Sequence, residues 1–409
     1  MVSSTGRSTS DDAEKIAAIR AEMPAVTNAV YLNTGTNGPL PRRSVAALTA
    51  QAEQELTSGR ITPAAWERYS ATFTEGRAAF AAVLHCDPSE IALTHNTTEG
   101  LNIALMGLAW EPGDELISAG PEHGGGLNPV ALLRHRYGVT VHMTDIGLRG
   151  RDVLADIRAV LSPRTRAIML SHVSWASGVV LPLREIAAAA HEVGALVIVD
   201  AAQSCGMVPV DVADLGVDMY ACSGQKWLCG PDGTGALYVK REHQDLLMQS
   251  YIGYGGLQHY MNTLDKPFLP VEGARRYEVA SFYLPAIKAL STSLSWIDTE
   301  VGWPWVHARI RELGQTCYAA LAAVEGVQLY LPQDEIVGLI HFIVEGIPPA
   351  ELTNALAARG ILIRHTPDPE LNRVAIGFYN NEEDVERLVS AIAAIGAERA
   401  TSSVAAAAS

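Results

Sequence analysis

ALVIVDAAQS, residues 195–204, is the stretch from which the fold can be read. Five consecutive apolar residues, 195–199, stop abruptly at Asp200, and small and polar residues follow. A strand apolar at every position, rather than at alternate ones, is buried on both faces, the mark of a parallel sheet covered by helices. Outward from it, short apolar runs at 91–93, 115–117, 139–142, 167–170, 218–222 and 235–239 alternate with longer stretches of helical period. This alternation predicts an α/β fold with a mostly parallel sheet flanked by helices. Ligands of such sheets gather beyond the carboxyl ends of the strands, so polar residues directly after an apolar run are the candidates for chemistry.

After about residue 285 the spacing changes to a long helix, strands near 338–344 and 373–378, and a last helix over 382–395, which predicts a smaller α+β domain. The expected division is an N-terminal segment 1–30 packing with the small domain, a large domain 31–284, a small domain 285–398 and a flexible tail 399–409. No apolar run reaches the roughly 18 residues a membrane span needs, and MVSSTGRSTS at the start lacks the apolar core of a secretory signal. A formal charge of −15 leaves no basic footprint for nucleic acid or an anionic membrane, and favours a small-molecule partner. The five cysteines form neither a disulfide framework nor a metal pair, so no metal is expected and a reducing, cytoplasmic setting is.

Four segments carry the candidate residues. Asp200 stands at the mouth of a buried strand, where a carboxylate needs a cation or several donors, and Gln203 follows it. CSGQKWLCGPDGTGALYV, 222–239, places Lys226 among Trp227, Leu228 and Cys229. Partial burial lowers a lysine's pKa and exposes a nucleophilic amine; the alternative is a snorkelling lysine at a strand edge. THNTTEGLNIAL, 94–105, opens a helix with Thr97 and Thr98, an anion site of hydroxyls and free backbone N–H groups or simple capping by Thr97. SAGPEHGGGLNPV, 118–130, sets His123 after a strand, able to stack on a planar cofactor or to act as a structural donor. The interval from Asp200 to Lys226 holds one connection and one strand, so both reach the same sheet edge. An acid and a lysine there suit pyridoxal 5′-phosphate (PLP), which needs a protonated ring nitrogen and an amine on its aldehyde.

In this order the four segments resemble the class V aminotransferases, fold-type I PLP enzymes that include cysteine desulfurases, isopenicillin N epimerase and C–S lyases, from about Tyr31 to Leu388. The resemblance implies that Lys226 holds PLP as a Schiff base, Asp200 pairs with its ring nitrogen, Gln203 approaches its hydroxyl and His123 stacks on it. Thr98 and Ser223, with Thr97 beside them, would bind its phosphate, and Gln225 stands where a histidine is usual. RRYEVAS, 275–281, resembles the segment lent by the partner of a homodimer, with Arg276, Glu278 and Ser281, Ser281 reaching the phosphate across the interface. NRVAIGFYNNEEDVERL, 372–388, resembles the motif whose arginine grips the substrate carboxylate; that role falls on Arg373, with Arg364 a rival. YLNTGTNGPLP, 31–41, would bring Asn33, Thr34 and Gly35 near the substrate, and the loop 251–260 is a further candidate.

Two departures bear on the reaction. IRHTPDPELNR, 363–373, lacks the cysteine that desulfurases carry before the arginine, and Trp175 replaces their asparagine, as in the epimerase and C–S lyase branch. The resemblance therefore implies a PLP-dependent C–S β-lyase acting on cysteine or an S-conjugated cysteine, in thiol or antibiotic metabolism. Its rivals are an epimerase, an aminotransferase or a decarboxylating deaminase, and, of another class, a non-catalytic PLP-binding protein. A nucleotide-binding dehydrogenase is disfavoured, since no GxGxxG stands at a strand-to-helix turn.

Overall fold

The structure, a computed structural model, describes residues 9–259 and 263–407. Its main sheet has seven strands in the spatial order Ile91–Thr94, Gly235–Val239, Met219–Ser223, Leu196–Asp200, Thr165–Ser171, Glu115–Ala119 and Thr140–Thr144. Each coincides closely with one of the apolar runs. Gly235–Val239 is antiparallel to both neighbours and the remaining pairings are parallel. Alternate side chains enter two separate cores: Val197 and Val199 join the one, Leu196 and Ile198 the other. Helices on both faces bury all four residues, and trimming the fully enclosed Ile198 to alanine would cost about 2–5 kcal/mol.

A second sheet is antiparallel throughout, in the order Arg364–Pro367, Glu370–Ala375, Leu339–Val344 and Val327–Leu329. Helices Trp303–Ala322, Pro349–Ala357 and Glu382–Ala407 cover one of its faces, over Ile340, Phe342 and Val374. Its opposite face carries Leu339 and Ala375 into the core of the large sheet. The N-terminal segment is tied here as well. Val30–Tyr31 pairs with Ile361–Leu362, and Arg20 donates to Asp384 at 2.9 Å and to the Tyr379 carbonyl at 3.1 Å.

Several boundaries differ from the expected ones. The closing helix does not end at 395 but runs to Ala407, through a stretch expected as a loose tail; its alanines, the best helix formers, sustain it. The helix Leu284–Trp296, expected to open the small domain, packs instead against helices Arg42–Ser58 and Pro63–Leu84 of the large one, because Ile287, Leu290 and Leu294 bury in that core. The candidate loop 251–260 ends outside the described residues. No helix among the described residues is long and apolar enough to cross a membrane.

Candidate active site

Five parallel-running strands deliver the site. Thr94, Ala119, Ser171, Asp200 and Ser223 close their strands at the same sheet edge, so the segments just beyond them converge. There a cavity of about 190 Å³ is lined by Thr97, Thr98, His123, Trp175, Asp200, Gln203, Ser223, Gln225 and Lys226. Gly35 and Thr36 enter from the N-terminal loop, and Arg364 and Arg373 from the small sheet.

Thr97–Gly107 is a helix whose N-cap is Asn96, not Thr97: Asn96 Oδ1 accepts from the Glu99 N–H at 2.9 Å. Asparagine before a helical run signals a cap, so this was readable. It releases Thr97, whose buried Oγ1 meets no partner among the described residues; Ser223 Oγ and Gln225 Oε1 are equally without one. Such groups are costly to bury unsatisfied. Gly125 leaves the space open, since a side chain there would strike Thr98 Oγ1. Glu99, the acid of this helix end, turns away to the backbone N–H and ring of His95.

Asp200 is buried and accepts from the Ala202 N–H at 2.9 Å. Burial pushes its carboxyl up from the usual range, against that hydrogen bond and the positive charge of Lys226. Burial likewise brings the Lys226 ammonium down to about 8; Asp200 opposes the shift while Arg373 and Arg364 favour it. Gln203 is fixed at both ends, donating to Gly35 O at 2.9 Å and accepting from Trp227 Nε1 at 3.1 Å, with a second N–H to spare. His123 caps the helix Gly124–Tyr137 through Nδ1, which accepts from the Gly125 N–H at 3.0 Å, and its ring meets Trp175 edge-on at 5.2 Å. Beneath it Glu122, which the sequence reading passed over, is buried on Ser171 N–H and Oγ; burial and then Asp200 raise it to about 7.

Arg364 and Arg373 are direct cross-strand partners, so their side chains share a face and both enter the cavity. Each donates to Thr36 Oγ1 at 3.3 Å, and Arg373 also to the Trp175 carbonyl at 3.4 Å. Among the described residues neither has a carboxylate within ion-pair distance. Thr36 and Ala202 also line the cavity without a signal in the sequence. Asn33 and Thr34 do not line it: Asn33 accepts from Thr36 Oγ1 at 2.8 Å, and Thr34 is buried against the Tyr379 hydroxyl at 2.6 Å. Ser281 lies apart, exposed beside Tyr254 Oη at 3.4 Å in the same subunit.

The family model for aminotransferase class-V matches residues 30–388. The chain belongs to the class-V aminotransferase family. Among curated relatives, a probable cysteine desulfurase of Methanothermobacter thermautotrophicus is 27% identical over 90% of this chain and 95% of its own length. Probable cysteine desulfurase 2 of Mycobacterium leprae is 28% identical over 92% and 96%. Among solved structures, the cystine C–S lyase C-DES in complex with its reaction product cysteine persulfide superposes with a TM-score of 0.86 at 29% identity, covering 91% of this chain and 99% of that one. A C-DES mutant with glycine covalently linked to the PLP cofactor superposes with a TM-score of 0.87 at 29% identity, covering 91% and 98%.

Class-V aminotransferases use PLP, and the site of this family member fits it. The orphaned hydroxyls of Thr97 and Ser223 and the free N–H groups of the Thr97 helix suit a phosphate. Asp200 suits a cationic ring nitrogen, and Lys226, lining the same cavity, suits the aldehyde.

Proposed function

We propose that this chain is a PLP-dependent C–S β-lyase acting on cysteine or an S-conjugated cysteine. The observation that carries the reading is the paired Arg364 and Arg373 beside Lys226 in a cavity with no cysteine on its walls. Like charges opposite one another on a sheet are destabilising, and a substrate carboxylate offsets that repulsion. The segment before Arg373 is a tight hairpin, in which Thr366 pairs with Leu371 and Pro367 with Glu370. It offers neither a thiol nor the reach that persulfide transfer from a mobile loop requires.

When bound, PLP withdraws electrons from the Cα of the attached amino acid. Arg373 and Arg364 hold the substrate carboxylate, which fixes the remaining Cα bonds in the cavity. Asp200 would keep positive charge on the ring nitrogen. His123 would cover one ring face, and Trp175 would wall the side-chain end. Lys226 Nζ, whose proton affinity burial lowers, takes the Cα proton as the free amine. The electron pair of the broken Cα–H bond becomes the Cα–Cβ double bond as sulfur departs with the C–S pair. Water then converts the released enamine to pyruvate and ammonia.

The active form is a homodimer on this reading. Tyr254 and Tyr283 are exposed and share a groove with Ser281, an apolar surface suited to a second copy that would carry Ser281 to its cavity. All five cysteines are free thiols, which supports a cytoplasmic setting. The test is to incubate the holoenzyme with L-cystine and with S-methyl-L-cysteine in deuterated water. Pyruvate released together with the sulfur product is expected. Deuterated amino acid of both hands without pyruvate would overturn the lyase in favour of an epimerase.

A further inference from the structure

His341 lies in the strand Leu339–Val344, whose other polar-free positions explain where it points. Ile340, Phe342 and Val344 enter the small-domain core, and Leu339 enters the core shared with the large sheet. His341 falls on the face of Leu339. It is the direct cross-strand partner of Arg373, which in turn faces Arg364. One row across three strands thus reads Arg364, Arg373, His341, all on the side of the cavity.

Only the arginines reach the cavity. The imidazole stops one layer behind, 1% exposed, against the turn that carries Trp175. His341 Nε2 stands 3.2 Å from the Trp175 carbonyl, which also accepts from Arg373 Nη1 at 3.4 Å. The contact makes Nε2 the protonated nitrogen, because a carbonyl oxygen only accepts. Gly178 closes the turn with a φ of +86°, and a side chain there would press on Leu339 O and on His341 Nδ1. The turn therefore lies directly on the ring. Burial, and next to it Arg373, bring the imidazole down to about 3, so it adds no charge to the row.

We infer that His341 is a positioning residue for substrate recognition: its Nε2–H anchors the Trp175 carbonyl, and that shared carbonyl sets the angle of the Arg373 fork toward the substrate carboxylate. Without the anchor the carbonyl shifts, and the guanidinium follows it out of register with the carboxylate while the cofactor end of the cavity is unchanged. The inference rests on the reading above that Arg373 binds the carboxylate.

The test is titration of the PLP-loaded enzyme with L-alanine and with ethylamine, the same amine skeleton without the carboxylate, read from the cofactor absorbance. In His341→Phe, L-alanine affinity falls about tenfold, the scale of one lost hydrogen bond to a charged group, and ethylamine affinity stays as in the wild type. His341→Gln, which can still donate to the carbonyl, recovers most of the loss. An L-alanine affinity within twofold of wild type, or equal losses for both ligands, overturns the inference while the lyase reading stands. No carboxylate preference in the wild type overturns both. Should His341→Phe not fold, His341→Asn, too short to reach the carbonyl, is read in the same way.

Discussion

Arg364 and Arg373 face one another across two antiparallel strands, and both guanidiniums reach the hydroxyl of Thr36 at 3.3 Å. Two like charges held this way in a buried cavity await an anion. Replacing Arg373 by leucine, which keeps bulk but removes the fork, is expected to lower kcat/KM for cystine roughly a hundredfold, about 3 kcal/mol. Arg364→Leu is expected to cost less, because Arg364 is the more exposed of the two. Steady-state kinetics of both variants check the order.

The pKa of Lys226 gives a pH dependence with a definite sign. An ammonium brought down to about 8 is protonated below that pH and a free amine above it. Capture of PLP by the apoprotein is therefore expected to quicken as pH rises through about 8 and then level off. Rapid-mixing absorbance over pH 6 to about 10 reads this directly; a rate still climbing steeply at the upper end would mean an unshifted lysine.

Asp200→Asn removes the charge opposite the cofactor ring at nearly constant shape. Preorganised charges at a reacting centre are worth about 10²–10³ in rate, so pyruvate release is expected to fall by that factor while the protein still binds PLP. The readout is single-turnover pyruvate formation against cofactor content.

Gly125→Ala tests the phosphate cradle. Its added methyl group meets Thr98 Oγ1, and the expected result is about tenfold weaker PLP binding with little change in apoprotein melting temperature. A melting temperature that drops by the same free energy would place the effect in folding rather than in the cradle.

The large sheet was legible because several of its strands carry unbroken apolar runs, Leu196–Val199 above all, a pattern that an amphipathic helix does not imitate. The same regularity exposed the site: Lys226, Asp200 and His123 were conspicuous as polar residues just beyond apolar runs. What stayed hidden depends on register and orientation. That Arg364 enters the cavity beside Arg373 follows from a hairpin pairing that periodicity does not define. Thr36 rather than Thr34 lines the wall because the loop turns Thr34 toward Tyr379, a contact between residues far apart in the chain. The helix Leu284–Trp296 could not be assigned by its own pattern, since its partners, Arg42–Ser58 and Pro63–Leu84, lie far earlier in the chain.

The most direct measurement is the absorbance spectrum of the PLP-supplemented protein and its Lys226→Ala variant, before and after L-cystine, with pyruvate assayed. The account predicts a visible cofactor band in the wild type that is absent from the variant, and pyruvate released by the wild type alone. A wild type that shows no lysine-bound cofactor band, or a variant that releases pyruvate as fast, would contradict it.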